Sequence, residues 1–315
     1  MAGNGIRLGL IGAGRWGRNY IKTIATIDGP RLARLASRNP EIRSLVDEEC
    51  IISNDWKEVA KAHDIDGVIV ATPPALHAEM TCSAVARGQP VLVEKPLTLD
   101  LGQAQALRHF VTEAHGFVMV EHTLLFHPAY RALKELGSGL GPIRAIVAEL
   151  GRRGPYRTDT PVLWDWGAHA VAFCLDMMGM PPEAAEAECL EQRVVENSHQ
   201  ENYLLRLTFP GNVSANFRIG NKMDKRRCFT VHFDTAILVF DDLVPAKLTR
   251  HPPTVDFTDP QGPGEAIDVP PTLPLEVAVR EFSQAITGQS RDLASLDLGV
   301  AVISVLADCD RNSRR

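Results

Sequence analysis

The chain has 315 residues, 45% of them apolar and 23% charged, and a net charge of −6 at pH 7. That length suits two domains better than one core, and the composition is that of an ordinary soluble globular protein. The acidic balance argues against nucleic-acid binding, no apolar run approaches the roughly 18 residues of a membrane span, and the first strand starts too near Met1 to leave room for a signal peptide.

Ile6–Ile11 reads as the first strand. It runs into Gly12-Ala13-Gly14-Arg15-Trp16-Gly17, followed by a helical pattern with Tyr20, Ile21, Ile24 and Ala25 on one face. In this order, strand, glycines and helix form a dinucleotide-binding turn. Gly12 permits the tight turn, Gly14 lets backbone approach a pyrophosphate, and Gly17 lets helix and strand pack closely. The helix N-terminus favours the anion, and Arg15 and Trp16 fall within the same loop. A second strand spans residues 31–37, and at its end an NAD site usually places an acid for the ribose 2′-hydroxyl. About 20 residues past Gly17 stand Ser37 and Arg38 instead. A hydroxyl and a guanidinium suit a 2′-phosphate, so NADP is expected, with NAD possible; the alternative is a solvated Arg38. Asn39-Pro40 resembles an N-cap and first helical turn, with Ile42, Leu45 and Val46 facing inward.

The alternation continues with a strand at 50–52, a helix at 55–62 and a wholly apolar strand at 67–71. That strand ends in Thr72-Pro73-Pro74, with His77 in the first turn of a helix that stops at Gly88. Val91-Leu92-Val93 is a short buried strand ending in Glu94-Lys95-Pro96. Lysine is costly to bury, so at the carboxyl end of such a strand it is expected at the rim of the sheet, where open α/β sheets bind ligands. The bland reading is a strand running out into a solvated turn. A helix over 98–115 and a strand over 117–121 complete a doubly wound parallel sheet, so residues 1–121 are expected to be a Rossmann domain.

Residues 122–315 are expected to form an α+β domain with a largely antiparallel open sheet. Strand-like runs lie close together at 143–150, 202–209, 213–219, 229–233 and 236–240, with a hairpin turn at Pro210-Gly211-Asn212. A helix over 161–178 interrupts them, 251–274 reads as proline-rich loop, and two helices end the chain, with Val277, Ala278, Phe282 and Ile286 on one face of the first. The interrupting helix carries Asp165 and His169 at i and i+4, on one face. A carboxylate beside an imidazole raises the ring's proton affinity and fixes its orientation, as a general base for an alcohol requires. Taken alone, such a pair is more often structural. The six cysteines, at 50, 82, 174, 189, 228 and 309, show neither a C-x-x-C pair nor zinc spacing. No metal is expected, and they read as reduced residues of a cytoplasmic protein.

Together, Gly12–Gly17, Ala71-Thr72-Pro73-Pro74 with His77, Glu94-Lys95-Pro96 and the Asp165/His169 pair resemble the Gfo/Idh/MocA oxidoreductases, over nearly the whole chain. The resemblance implies an NADP-dependent oxidoreductase that moves hydride between the nicotinamide and a secondary alcohol or ketone of a sugar, polyol or nucleotide sugar. Lys95 would bond the reacting oxygen, His169 would take the hydroxyl proton, and Asp165 would orient that site. Thr72, Pro73, His77 and Glu94 would line the nicotinamide ribose. The Lys95-Pro96 peptide is a candidate for cis, and the second domain's sheet would join a homodimer or homotetramer. Tyr156, Arg157 and His122 are candidates for contacting substrate; Arg152 and Arg153 could equally form a solvated basic loop, and the reading of Trp164 and Trp166 that carries more weight is core. Two alternatives stay open: transient redox that cleaves a glycoside while recycling the cofactor, and a non-catalytic dinucleotide-binding sensor.

Overall fold

The computed structural model describes residues 5–154, 156–195, 198–254, 257, 260 and 262–313. It divides into two compact units, Met1–Thr123 with Leu273–Ile303, and Leu124–Thr272 with Ser304–Arg315.

The first unit alternates strand and helix: β1 (Arg7–Ile11), α1 (Arg15–Thr26), β2 (Arg31–Ala36), β3 (Ile51–Ser53), α2 (Trp56–Ala60), β4 (Gly67–Val70), α3 (His77–Val85), β5 (Val91–Glu94), α4 (Leu101–Glu113) and β6 (Val118–Glu121). The strands pair in parallel in the order β3-β2-β1-β4-β5-β6. Strands β4, β5 and β6 are buried along their whole length. Helices cover both faces of such a sheet, so its strands carry no polar alternation. The strand order reverses between β1 and β4, which opens a crevice at the carboxyl ends of the strands. Helix α1 buries Gly17, Tyr20, Ile21 and Ile24, while Ala25 lies exposed. A Cβ on Gly17 would stand 2.0 Å from the Gly12 carbonyl, so this helix–strand approach requires glycine.

Asn39 caps a 3₁₀ helix over Pro40–Leu45, its side chain accepting from the Glu41 N–H. Ile42 is buried but Leu45 is exposed, because two turns of 3₁₀ helix are too short to hold a continuous apolar face. Two helices, α7 (Pro274–Thr287) and α8 (Ala294–Arg311), follow the second unit's sheet in the chain. Phe282 and Ile286 of α7 press on Gly67 at the start of β4, and Phe282 stacks on Phe117 at 6.5 Å. Gly299 of α8 lies against Val120 and Leu97. The first unit therefore closes its sheet with chain from both ends of the sequence.

The second unit contains α5 (Pro128–Gly137), β7 (Ile143–Gly151), α6 (Val162–Met178), β8 (Ala184–Val195), β9 (Ser198–Phe209), β10 (Val213–Gly220), β11 (Arg226–Phe233), β12 (Ile237–Asp241), β13 (Leu248–His251) and β14 (Glu265–Ile267). Its eight strands run in the order β14-β13-β12-β11-β7-β10-β9-β8, antiparallel except for the central parallel pair of β10 and β7. Three of them lie outside the expected runs. Strand β8 is rich in Ala and Glu, which favour helix, but pairing with β9 sets an alternation that buries Ala185 and Ala187. Strands β13 and β14 pair with each other, β14 within the stretch expected to be loop. Helix α6 packs its apolar side on β7, β9 and β10. Phe173 of α6 stacks on Phe229 at 3.9 Å and meets Tyr130 edge-on at 4.9 Å, which centres this unit's core.

Candidate active site

In the first unit the candidate residues gather on the loops at the carboxyl ends of the strands. Gly12 adopts φ +98°, and a Cβ there would stand 2.5 Å from the Ala71 carbonyl. Gly14 is the N-cap of α1, with no side-chain cap and no acid in the first turn, and a Cβ there would meet nothing within 4 Å. The first N–H groups of a helix need acceptors and carry partial positive charge. Open space above Gly14, an uncapped helix start, exposed Arg15 and half-buried Trp16 together fit a pyrophosphate. At the end of β2, Ser37 Oγ accepts from the Asn39 N–H at 3.1 Å, and Arg38 is exposed. No acid occupies that turn, which suits a ribose carrying a phosphate.

The turn after β4 places Pro73 on the surface and Thr72 half-buried, its hydroxyl 3.5 Å from the Met80 sulfur. His77 is fully buried. Its Nε2 lies 2.8 Å from the Thr72 carbonyl and its Nδ1 3.0 Å from the Pro96 carbonyl. The ring thus ties the turn after β4 to the bend after β5. The Lys95-Pro96 peptide is cis, as the resemblance implied.

Lys95 follows β5 and is only 6% exposed. Two carboxyls stand near it. Glu94 and Glu121 are register partners on β5 and β6, 4% and 0% exposed. Burial pushes the Glu94 carboxyl well above the usual range, and the charge of Glu121 pushes it further, while Lys95 opposes both. Burial likewise raises Glu121, to about 7, against the pull of the Thr123 hydroxyl at 2.6 Å and of Lys95. The buried Tyr20 hydroxyl is also raised, first by burial and then by these two charges. Glu121 escaped the sequence reading, although Val118-Met119-Val120-Glu121 repeats the pattern of Val91-Leu92-Val93-Glu94. The repeat marks two carboxyls at equivalent ends of two buried strands. His122 follows, 2% exposed, its N–H on the Val120 carbonyl.

In the second unit Asp165 and His169 lie one turn apart on α6, both half-buried, with the Trp166 ring centroid 6.4 Å from that of His169. Arg157 donates two parallel hydrogen bonds to Asp159, at 2.8 and 2.9 Å, and approaches Asp165 at 3.5 Å. The same guanidinium lowers the Asp159 carboxyl below its usual range. The fork of Arg157 is thus taken up by a neighbouring acid, with Asp165 at the edge of hydrogen-bond reach. Tyr156 is 41% exposed, Arg153 pairs with Asp224 at the surface, and Trp164 is core. Among the described residues no cluster of His, Cys, Asp and Glu could hold a metal ion.

Residues 6–122 match the profile of an oxidoreductase family with an NAD-binding Rossmann fold. A solved structure of a protein from Magnetospirillum magnetotacticum MS-1, described as an oxidoreductase, is 45% identical over 97% of this chain and 100% of its own, with a TM-score of 0.92. UDP-N-acetylglucosamine 3-dehydrogenase of Acidithiobacillus ferrooxidans is 30% identical over 56% of this chain and 56% of its own length. Its solved structure, 23% identical, shares the fold with a TM-score of 0.82 over 98% of this chain and 97% of its own. The NADP(+) scyllo-inositol 2-dehydrogenase of Bacillus subtilis is 27% identical over 63% of this chain and 58% of its own. The chain spans about half the length of the curated relatives it matches.

Proposed function

This chain belongs to the Gfo/Idh/MocA oxidoreductase family, and from that premise we propose that it is an NADP-dependent oxidoreductase acting on a secondary alcohol or ketone of a sugar, polyol or nucleotide sugar. The observation that carries the reading is a nearly buried lysine at the end of β5, on the same edge of the sheet as a glycine turn shaped for a dinucleotide. Gly12, Gly14 and Gly17 with Arg15 and Trp16 would hold the pyrophosphate, Ser37 and Arg38 the 2′-phosphate, and Thr72, Pro73 and Glu94 the nicotinamide ribose. A nicotinamide held there would supply the hydride chemistry at the carbinol carbon. Lys95 donates a hydrogen bond to the reacting oxygen and steadies the charge that develops there. His169 holds the hydroxyl proton at a ring nitrogen, and Asp165 fixes the ring for that task. The names of the relatives, dehydrogenases of inositol and of a nucleotide sugar, support the substrate class.

Titration of the protein's fluorescence with NADPH, and separately with NADH, tests the cofactor. A preference for NADPH of about tenfold, roughly 1.4 kcal/mol, is expected; equal or better binding of NADH removes Arg38 as the phosphate reader, and binding of neither removes the oxidoreductase reading.

We assign self-association, as a homodimer or homotetramer, to the face of the eight-stranded sheet turned away from α6. Strand alternation puts Val147, Leu204, Thr230 and Val239 there, with the Arg206–Glu188 ion pair beside them. Light scattering that returns a monomer would reject this assignment.

A further inference from the structure

Glu121 has no part in the dinucleotide motifs, yet it is the most deeply buried carboxyl in the neighbourhood of Lys95. Its backbone sits beside that of Glu94 in parallel register, and neighbouring strands lie about 4.8 Å apart. The backbone N–H of Lys95 bears on the Glu94 carboxyl, and the Lys95 charge bears on both acids. Three ionisable groups thus share one dry end of the sheet. If both acids were ionised, two like charges would face one ammonium and leave a buried net charge, which is expensive.

We propose that Glu94 and Glu121 work as one carboxyl pair that holds a single proton between them at neutral pH, presents one net negative charge to Lys95, and makes Glu121 a positioning residue for it. Other groups stand around the pair. Tyr20 approaches from α1 as a neutral phenol. From α8, the Ser295 hydroxyl accepts the Val120 N–H at 2.9 Å, and Asp297 is engaged with Arg108. Thr123 donates its hydroxyl to Glu121, and His122 is the next residue in the chain after Glu121. The opposite environments of the two acids agree with this division. Glu94 bears the like-charge penalty, while Glu121 has the hydroxyl donor.

The role in turnover rests on the reading that Lys95 bonds the reacting oxygen; the shared proton does not. Infrared spectra of the purified protein are therefore taken first, at about pH 8, well above ordinary carboxylates. A carbonyl band of neutral carboxylic acid is expected, and Glu94→Gln should remove it. Glu121→Gln should remove it too, because Glu94 then becomes the sole counter-charge and ionises. Absence of the band in the unmodified protein, or a band indifferent to Glu121→Gln, overturns the pair whatever the activity. The pH profile of kcat/KM follows: it should fall below about pH 7, where Glu121 gains its proton, and Glu121→Gln should move that limb to lower pH. An unmoved limb overturns the positioning role. If the band behaves as expected and no sugar-like substrate is turned over with either cofactor, the carboxyl pair stands and the proposed function falls.

Discussion

Replacing Glu121 with Gln should stabilise the protein at alkaline pH and leave it nearly unchanged in mild acid. Burial lifts this carboxyl from an ordinary 4.5 to about 7. Between those values the folded protein retains a proton that the unfolded chain has released, so stability must fall as pH rises through that window and stay low above it. Each pH unit of displacement is worth about 1.4 kcal/mol, which puts the full penalty near 3 kcal/mol. That figure is already net of the attraction to Lys95 and of the hydrogen bond from Thr123, both of which pull the carboxyl down. Glutamine is isosteric, its carbonyl can still accept from Thr123, and it cannot ionise. Urea unfolding of both proteins at about pH 5 and about pH 8 measures the effect, read as a difference of differences so that titrating groups not linked to Glu121 cancel and only Glu94, its partner, remains with it. The expected result is a steeper loss of stability in the unmodified protein, by about 2–3 kcal/mol between the two conditions. An identical loss in both proteins would refute the reasoning, because the carboxyl would then ionise in the folded state at its ordinary pH.

The remaining predictions concern the cofactor and the reacting centre. Lys95→Met should reduce turnover by more than about a thousandfold, the upper range for one donor to a developing charge, while the fluorescence titration with NADPH changes little; retained turnover would remove Lys95 from the chemistry. Arg38→Ala should weaken NADPH by about tenfold, roughly 1.4 kcal/mol, and leave NADH unaltered, since only the 2′-phosphate meets that side chain. Gly14→Ala should fold normally but lose dinucleotide binding, because the added methyl enters open space where the pyrophosphate is expected, whereas Gly17→Ala should also lower the melting temperature, because its methyl would lie 2.0 Å from the Gly12 carbonyl.

The first unit was readable wherever chemistry is local. Continuous apolar runs such as Val91-Leu92-Val93 and Gly67-Val68-Ile69-Val70 announce buried parallel strands, and glycine at three fixed places announces a turn into a helix. The Asn39 cap and the left-handed Gly179 at the end of α6 follow from the same kind of signal. What escaped depended on pairing partners that no local signal names. The Ala/Glu run of β8 is a strand only because β9 lies beside it. Nothing in Phe282 or Ile286 says that they face Gly67, more than 200 residues earlier.

The site divides along the same line. Lys95 was legible because a charged residue at the end of a buried strand violates the surrounding pattern, and such violations mark places where stability is set aside. Glu121 violates it in the same way, yet one acid at a strand end has an innocent reading as a solvated terminus. Only the β5–β6 register removes that reading, by setting Glu121 beside Glu94 and both near one ammonium. His77 and Arg157 move the opposite way. The family resemblance suggested a ribose contact for the first and the loop before α6 a substrate contact for the second; in the fold their polar atoms meet carbonyls in one case and carboxylates in the other. A residue type states what a side chain is able to bond. Its neighbours decide what remains for a ligand, and here they leave Lys95 with a counter-charge that its own strand supplies only in part.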